Sequence, residues 1–134
     1  MPMTWTQWPS LITWLTLILM IGLGFNVARA RGRYGVRAPA TGGNEQFERV
    51  YRVQMNTLEN AVVFLPALWL GAWYWRPAWA GLCGAVWLAG RIWYARAYVR
   101  DPARRGGGFN LSILGFAALI IGSASGWVRA FAWT

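Results

Sequence analysis

Six polar side chains recur at helical spacing in one stretch of this 134-residue chain: Glu45, Glu48, Arg49, Arg52, Asn56 and Glu59. At about 100° per residue they fall on one stripe of a helix. A second set, Arg91, Tyr94 and Tyr98, shares a helix face by the same arithmetic. Guanidinium groups bind carboxylates, a carboxylate such as Glu59 takes an ammonium, and an amide and two phenols serve amide groups. The combination suits an anionic ligand that also carries an ammonium. Each pair taken alone has a plainer reading, an ion pair that fixes helix packing with the tyrosines as interfacial anchors. The concentration of the whole set in one zone is what favours a ligand. No histidine occurs anywhere in the chain. This removes Ser-His hydrolases, His-based metal sites and His general bases, and no metal is expected.

The elements that must position these groups are membrane helices. Apolar residues make up 57% of the chain and charged residues 13%, too oily a balance for a soluble domain of this size. A bilayer core about 30 Å thick needs roughly 20 apolar residues per helix. Four stretches approach that length, at 11–27, 57–75, 78–94 and 109–128. The expected fold is an all-α membrane protein: one domain over 1–134, built as a bundle of four transmembrane helices at about 8–29, 45–75, 77–100 and 108–131. Glu59 then lies near one end of the second span, where a lone carboxylate needs a partner or a wet cavity. Arg52 and Arg91 are the candidate partners.

All thirteen basic residues are arginine, the formal charge is +9, and eleven of the thirteen fall in the blocks 29–52 and 91–105. That distribution is the positive-inside pattern, so the arginine-rich loops are expected on the cytoplasmic side and nucleic acid is not needed to explain them. Both termini and the Arg76 turn face the other way. Trp5, Trp8, Trp73, Trp75, Trp79, Trp127 and Trp133 sit near helix ends, where an indole prefers the headgroup level. Ala28-Arg29-Ala30 mimics a signal-peptidase site, but residues 1–10 carry no positive side chain, and a retained helix is expected. Cys83 is the single cysteine, so no intrachain disulfide forms and the thiol reads as a packing residue. A lysine-free chain rich in Ala, Gly, Arg and Trp points to a GC-rich bacterium and its inner membrane.

The connections have their own signals. Residues 28–46 are rich in Gly, Pro and Arg and read as an irregular loop, ending at Asn44 as an N-cap with Glu45 and Glu48 in the first turns. Pro66 should kink the second helix. The short Arg76-Pro77 turn makes the second and third helices an antiparallel hairpin. Asp101-Pro102 ends the third helix, and Gly106-Gly107-Gly108 leads into the fourth. The glycine run lacks the Lys-Ser/Thr of a phosphate loop and follows no strand. Gly115, Gly122 and Gly126 place small residues on one face for close helix contact.

The run Phe47-Glu48-Arg49-Val50-Tyr51-Arg52-Val53-Gln54-Met55-Asn56, followed by Glu59, Arg91, Tyr94, Tyr98 and Arg105, resembles the MAPEG family, the membrane-associated proteins in eicosanoid and glutathione metabolism. The dense match covers about 46–105, and the four-helix layout extends it to the whole chain. The resemblance implies a homotrimer with glutathione held between neighbouring subunits near the cytoplasmic face. Glutathione also meets the chemical description of the ligand given above. Carried over by position, Arg52, Asn56, Glu59, Tyr94 and Tyr98 are expected to hold glutathione in one subunit, with Arg91 beside them. Gln54 comes from the adjacent subunit, as does a first-loop arginine, Arg31 being the choice and Arg29 and Arg33 the alternatives. Arg105 matches the arginine that faces the thiol in catalytic members. Asn60 departs from the pattern, since the eicosanoid-forming members have a tyrosine there.

The implied activity is glutathione S-transfer to lipophilic electrophiles, with reduction of lipid hydroperoxides by the same thiolate as a companion reaction. The partners are glutathione as co-substrate, a lipophilic or lipid substrate, the bilayer and further copies of the chain. Two rival classes are a non-enzymatic lipid-binding or scaffold protein of the same family and a small transporter. The thiol-facing Arg105 argues against the first rival, and only polar residues within a bundle motivate the second.

Overall fold

The computed structural model describes residues 7–132, which leaves Trp5 and Trp133 outside the described residues. Within them the chain forms α1 (Gln7–Tyr34), α2 (Glu45–Tyr74), α3 (Pro77–Arg100), a short 3-10 turn (Pro102–Arg105) and α4 (Gly106–Ala132), with no strand. Local chemistry explains each boundary. The Asn44 side chain accepts a hydrogen bond from the Phe47 amide at 3.0 Å, while Glu48 reaches back to accept from the Gly43 amide at 2.9 Å. Together they satisfy donors left open at the start of α2. Pro77 opens α3 in the first turn, where its missing N–H would have no acceptor within the helix and its fixed φ suits the helical start. Asp101 ends α3 in extended conformation and caps the 3-10 turn by accepting from the Ala103 amide at 3.0 Å.

Two boundaries differ from expectation. Residues 28–34 are helical, because Ala28, Ala30 and the arginines are good helix formers, and Arg31 and Arg33 in the last turn suit the negative helix end. The stop comes at Gly35, whose φ of +68° is open to glycine, and the Val36 amide bonds back to the Arg31 carbonyl at 3.2 Å. The glycine run of 106–108 lies inside the first turn of α4. Helix α2 runs on through Pro66 as one helix.

The core is assembled from all four helices. Ile12, Phe64, Leu68, Trp87 and Leu119 are buried together, with the Phe64 and Trp87 rings stacked at 3.7 Å. Helices α3 and α4 meet almost backbone to backbone. A Cβ on Gly108 would stand 2.7 Å from the Tyr94 Cα and 2.8 Å from the Gly90 carbonyl, and one on Gly115 would stand 2.6 Å from the Cys83 carbonyl. Gly122 and Gly126 receive the Trp75 ring and the Tyr74 carbonyl. The small-residue face read on α4 is thus its packing surface, and it continues onto α3 at Gly90.

One cation is sealed in this core. Arg91 is completely buried, donating from Nη2 to Asn56 Oδ1 at 2.8 Å and Thr57 Oγ1 at 2.9 Å, with its guanidinium 4.2 Å from the Tyr94 ring centroid. Among the described residues its Nε and Nη1 have no hydrogen-bond partner. Two neutral oxygens and a π face therefore hold a charge that would otherwise require a carboxylate.

The outside is apolar on every helix. Ile18, Ile21 and Phe25 on α1, Val62 on α2, Leu82 on α3, and Leu114 and Ile121 on α4 are all more than half exposed. Exposed apolar surface of that extent belongs in a membrane or an interface. Helix Gln7–Tyr34 and the stretch Pro102–Ala132 are long and apolar enough to cross a bilayer. Helices α2 and α3 do not reach that level of hydropathy, since Glu59 and Asn60 interrupt one and three arginines the other. Trp8, Trp73, Trp79 and Trp127 are exposed near the helix ends remote from the arginine-rich connections.

Two outcomes follow from this packing, both measured by thermal unfolding in detergent. Gly108→Ala lowers stability by about 1–3 kcal/mol because the methyl group meets backbone, whereas Gly22→Ala, with nothing within 4 Å, does not. Arg91→Ala costs about 3 kcal/mol or more, through a cavity and two abandoned polar partners. Arg91→Met, which keeps the volume, costs less than half as much. Equal losses in the two Arg91 variants would mean the buried charge itself is indispensable.

Candidate functional site

The polar stripe of α2 and the tyrosine face of α3 come together through Arg91. Because a guanidinium only donates, the atom it binds on Asn56 is the amide oxygen. The Asn56 NH2 group is thereby left as a donor for something else. Asn56 is half-buried, while Arg52 and Glu59, on the same face of α2, are exposed. Tyr94 is only 4% exposed and packs with Leu23 and Val53, and the Tyr98 ring lies 5.5 Å away. Around Tyr94 stand Arg91, whose guanidinium covers its ring, Tyr98 beside it, Arg52 one turn before Asn56 on α2, and Arg105 one turn before Gly108, which packs on the Tyr94 backbone. Those four residues come from α2, α3 and the 3-10 turn.

Arg105 reaches this cluster because of the turn that precedes it. The Asp101 cap and Pro102 reverse the chain in four residues, so Arg105 stands exposed at the joint between turn and α4. The Gly90–Gly108 contact then holds the start of α4 hard against α3. A methyl-sized wedge at that contact would move Arg105 relative to Tyr94. Three guanidinium groups share this zone with one acid, Glu59, and the local excess of positive charge favours an anion.

Glu59 differs from expectation. Neither Arg52 nor Arg91 pairs with it: the ion pairs among the described residues are Arg49 with Glu45 and Arg104 with Asp101. Arg91 is instead consumed by Asn56 and Thr57, and Glu59 faces outward one turn beyond Asn56. Gln54 sits on another side of α2, with its amide beside Gly24 of α1. Arg31 is occupied within its own chain, donating to the Ala40 carbonyl at 2.7 Å and the Val36 carbonyl at 3.3 Å while its guanidinium covers the Phe47 ring at 4.9 Å. It braces the first connection. Arg33 packs on Tyr34 at 5.6 Å, and Arg29 is exposed.

Thr57 was not among the residues expected here. It is fully buried and accepts from Arg91, and the signal for it was a hydroxyl next to Asn56 at the entry to an apolar stretch. Asn60 turns its amide back to the Asn56 carbonyl at 2.9 Å, a bond within its own helix.

The chain is 53% identical to an uncharacterized protein of Synechocystis over 116 residues, covering 87% of this chain and 85% of that protein. It is 33% identical over 105 residues to microsomal glutathione S-transferase 2 of Bos taurus, covering 78% of this chain and 72% of the relative. Against leukotriene C4 synthase of Cavia porcellus the identity is 38% over 94 residues, or 70% of this chain and 63% of the relative. The family model described as MAPEG family matches residues 10–125. The chain therefore belongs to the MAPEG family.

Proposed function

We propose that this protein is a membrane-bound glutathione S-transferase that joins the glutathione thiolate to lipophilic electrophiles. The observation that carries the reading is the grouping of Arg52, Arg91 and Arg105 around Asn56 and Tyr94 in an otherwise apolar bundle, Arg91 by direct contact and Arg105 by the packing of Gly108 on the Tyr94 backbone. Similarity to proteins named for glutathione transfer and leukotriene C4 synthesis supports it. The residues present fit the tripeptide. Arg52 serves a carboxylate, Glu59 the ammonium, and the outward Asn56 NH2 and Tyr98 the polar groups between them. Arg91 belongs to the site as the residue that fixes Asn56 and Tyr94.

The chemistry required of the protein is small. A thiol with a pKa near 8.5 is mostly protonated at neutral pH, and the thiolate is the nucleophile. A guanidinium beside the sulfur favours the anion, each unit of lowering being worth about 1.4 kcal/mol. Arg105 supplies that charge in this reading. The thiol proton leaves to solvent, the sulfur bonds to the electrophilic carbon, and the leaving group departs with its electron pair. Attack on a lipid hydroperoxide instead breaks the O–O bond, giving an alcohol and an oxidised sulfur that a second thiol reduces.

The site is incomplete in one chain. Exposed Arg52 and Glu59, and Gln54 with a first-loop arginine on a different side of the bundle, fit an assembly of three copies with each site at a seam. Because Arg31 is engaged in its own loop, Arg29 and Arg33 become the freer candidates for that reach. All four helices would cross the bilayer, with α2 and α3 shielding their polar faces inside the assembly and the arginine-rich end in the cytoplasm. A bacterial inner membrane is the proposed location.

Arg105→Ala lowers turnover of chlorodinitrobenzene at least about tenfold while changing glutathione affinity less than about threefold, as expected for one guanidinium acting on the thiolate. The rise of rate with pH also moves to higher pH in that variant, since the thiol loses its neighbouring cation. Unchanged turnover would remove Arg105 from the mechanism. Calorimetric titration of the solubilised protein with glutathione and an S-alkyl analogue detects binding of both, weakened about tenfold or more by Arg52→Ala. Binding without turnover across a broad electrophile panel would make the protein a lipid-presenting member; no binding at all would overturn the glutathione site.

A further inference from the structure

A cavity of about 620 Å³ opens between α1, α2 and α3, and of the residues considered for glutathione only the first-loop alternatives Arg29 and Arg33 line it. Its floor includes the core residues Leu23 and Val53, and its walls carry Arg29, Arg33, Arg96 and Arg100. The arginines form two pairs, each spaced one turn apart on its own helix. Like charges at that spacing repel and weaken a helix. Helix-end electrostatics accounts for Arg33 and Arg100, which lie in last turns, but not for turning all four toward one cavity.

None of the chain's four acids offsets this charge, since none lines the cavity. Glu45 is held by Arg49, Glu48 by the Gly43 amide and Asp101 by Arg104 at 3.7 Å. Glu59 is on a different face of α2 from Val50 and Val53. The cavity thus combines four uncompensated cations with an apolar floor at the arginine-rich end of a bundle whose outer surface is apolar. An occupant must bring negative charge at one end and hydrocarbon at the other. A free phosphate or a soluble peptide meets only the first demand.

We propose that this cavity binds an anionic phospholipid, its phosphate among Arg29, Arg33, Arg96 and Arg100 and its upper acyl chain against Leu23 and Val53. Guanidinium forks match phosphate oxygens bidentately, and juxtamembrane arginines gain from anionic lipid at the cytoplasmic leaflet. Bound lipid would relieve the repulsion between the two arginine pairs and hold the ends of α1 and α3 together.

The test uses the full chain in mixed micelles containing phosphatidylglycerol or phosphatidylcholine, with retained lipid read by native mass spectrometry. Phosphatidylglycerol is retained about tenfold better than phosphatidylcholine, consistent with two or more charge contacts. Arg33→Gln with Arg96→Gln abolishes that preference, while Arg37→Gln with Arg129→Gln, an equal loss of charge away from the cavity, leaves it intact. Arg33→Lys with Arg96→Lys also retains it. A photoactivatable phosphatidylglycerol labels peptides of α1 and α3 in the unaltered protein, a readout that needs no variant to fold. Equal retention of the two lipids, equal loss in both Gln variants, labelling elsewhere, or displacement by millimolar inorganic phosphate would each overturn the proposal. Because glutathione takes no part in any of these measurements, their failure would leave the transferase reading untouched.

Discussion

The fold turns on keeping one guanidinium inside an apolar bundle without a carboxylate to meet it. Arg91 has no exposure, and what surrounds it is an amide oxygen, a hydroxyl and an aromatic face. Each of those groups is on α2 or α3, so solvating the charge and docking the two helices are the same event. Desolvating an ion costs several kcal/mol, and the cost is offset only if the geometry of the partners is kept. The helices consequently cannot slide past one another without abandoning the charge. That same geometry sets which way Asn56 and Tyr94 point.

A second restriction comes from α4, which approaches α3 closely enough that only glycine fits at the crossings. Its first turn is therefore fixed relative to Tyr94, and with it the 3-10 turn that carries Arg105. Charge placement at the candidate site is a result of backbone packing more than of side-chain contact. Exposed and half-buried polar groups around this fixed centre, Arg52, Glu59 and Tyr98, are the adaptable part.

Much of this was legible in the chain itself, and the limits have physical reasons. The Asn44 cap, the Pro77 start and the Asp101-Pro102 stop are local chemistry, and their residues announce them. The polar stripe on α2 and the tyrosine face on α3 are visible from helical period alone. What period does not reveal is which neighbour a long side chain selects. Arg91 could meet Glu59 by depth but is taken by Asn56 and Thr57, which lie closer to its own level. Loop composition misled at 28–34 because glycine and arginine suggest irregularity, whereas the alanines between them and the glycine stop at Gly35 favour one more helical turn. Arg31 is another instance: two local carbonyls and a ring claim it before any distant partner can.

The glycine seam on α4 divides that helix into two sides with unequal tolerance for a larger side chain. Gly108, Gly115, Gly122 and Gly126 admit no enlargement without a shift of their neighbours, while Leu114, Ile121 and Val128 on the outward side are each more than half exposed. Drift on the outer side can retune the helix to lipids of other thickness or fluidity without shifting the joint that carries Arg105. A chain built this way can move between organisms with unlike membranes and keep its chemistry.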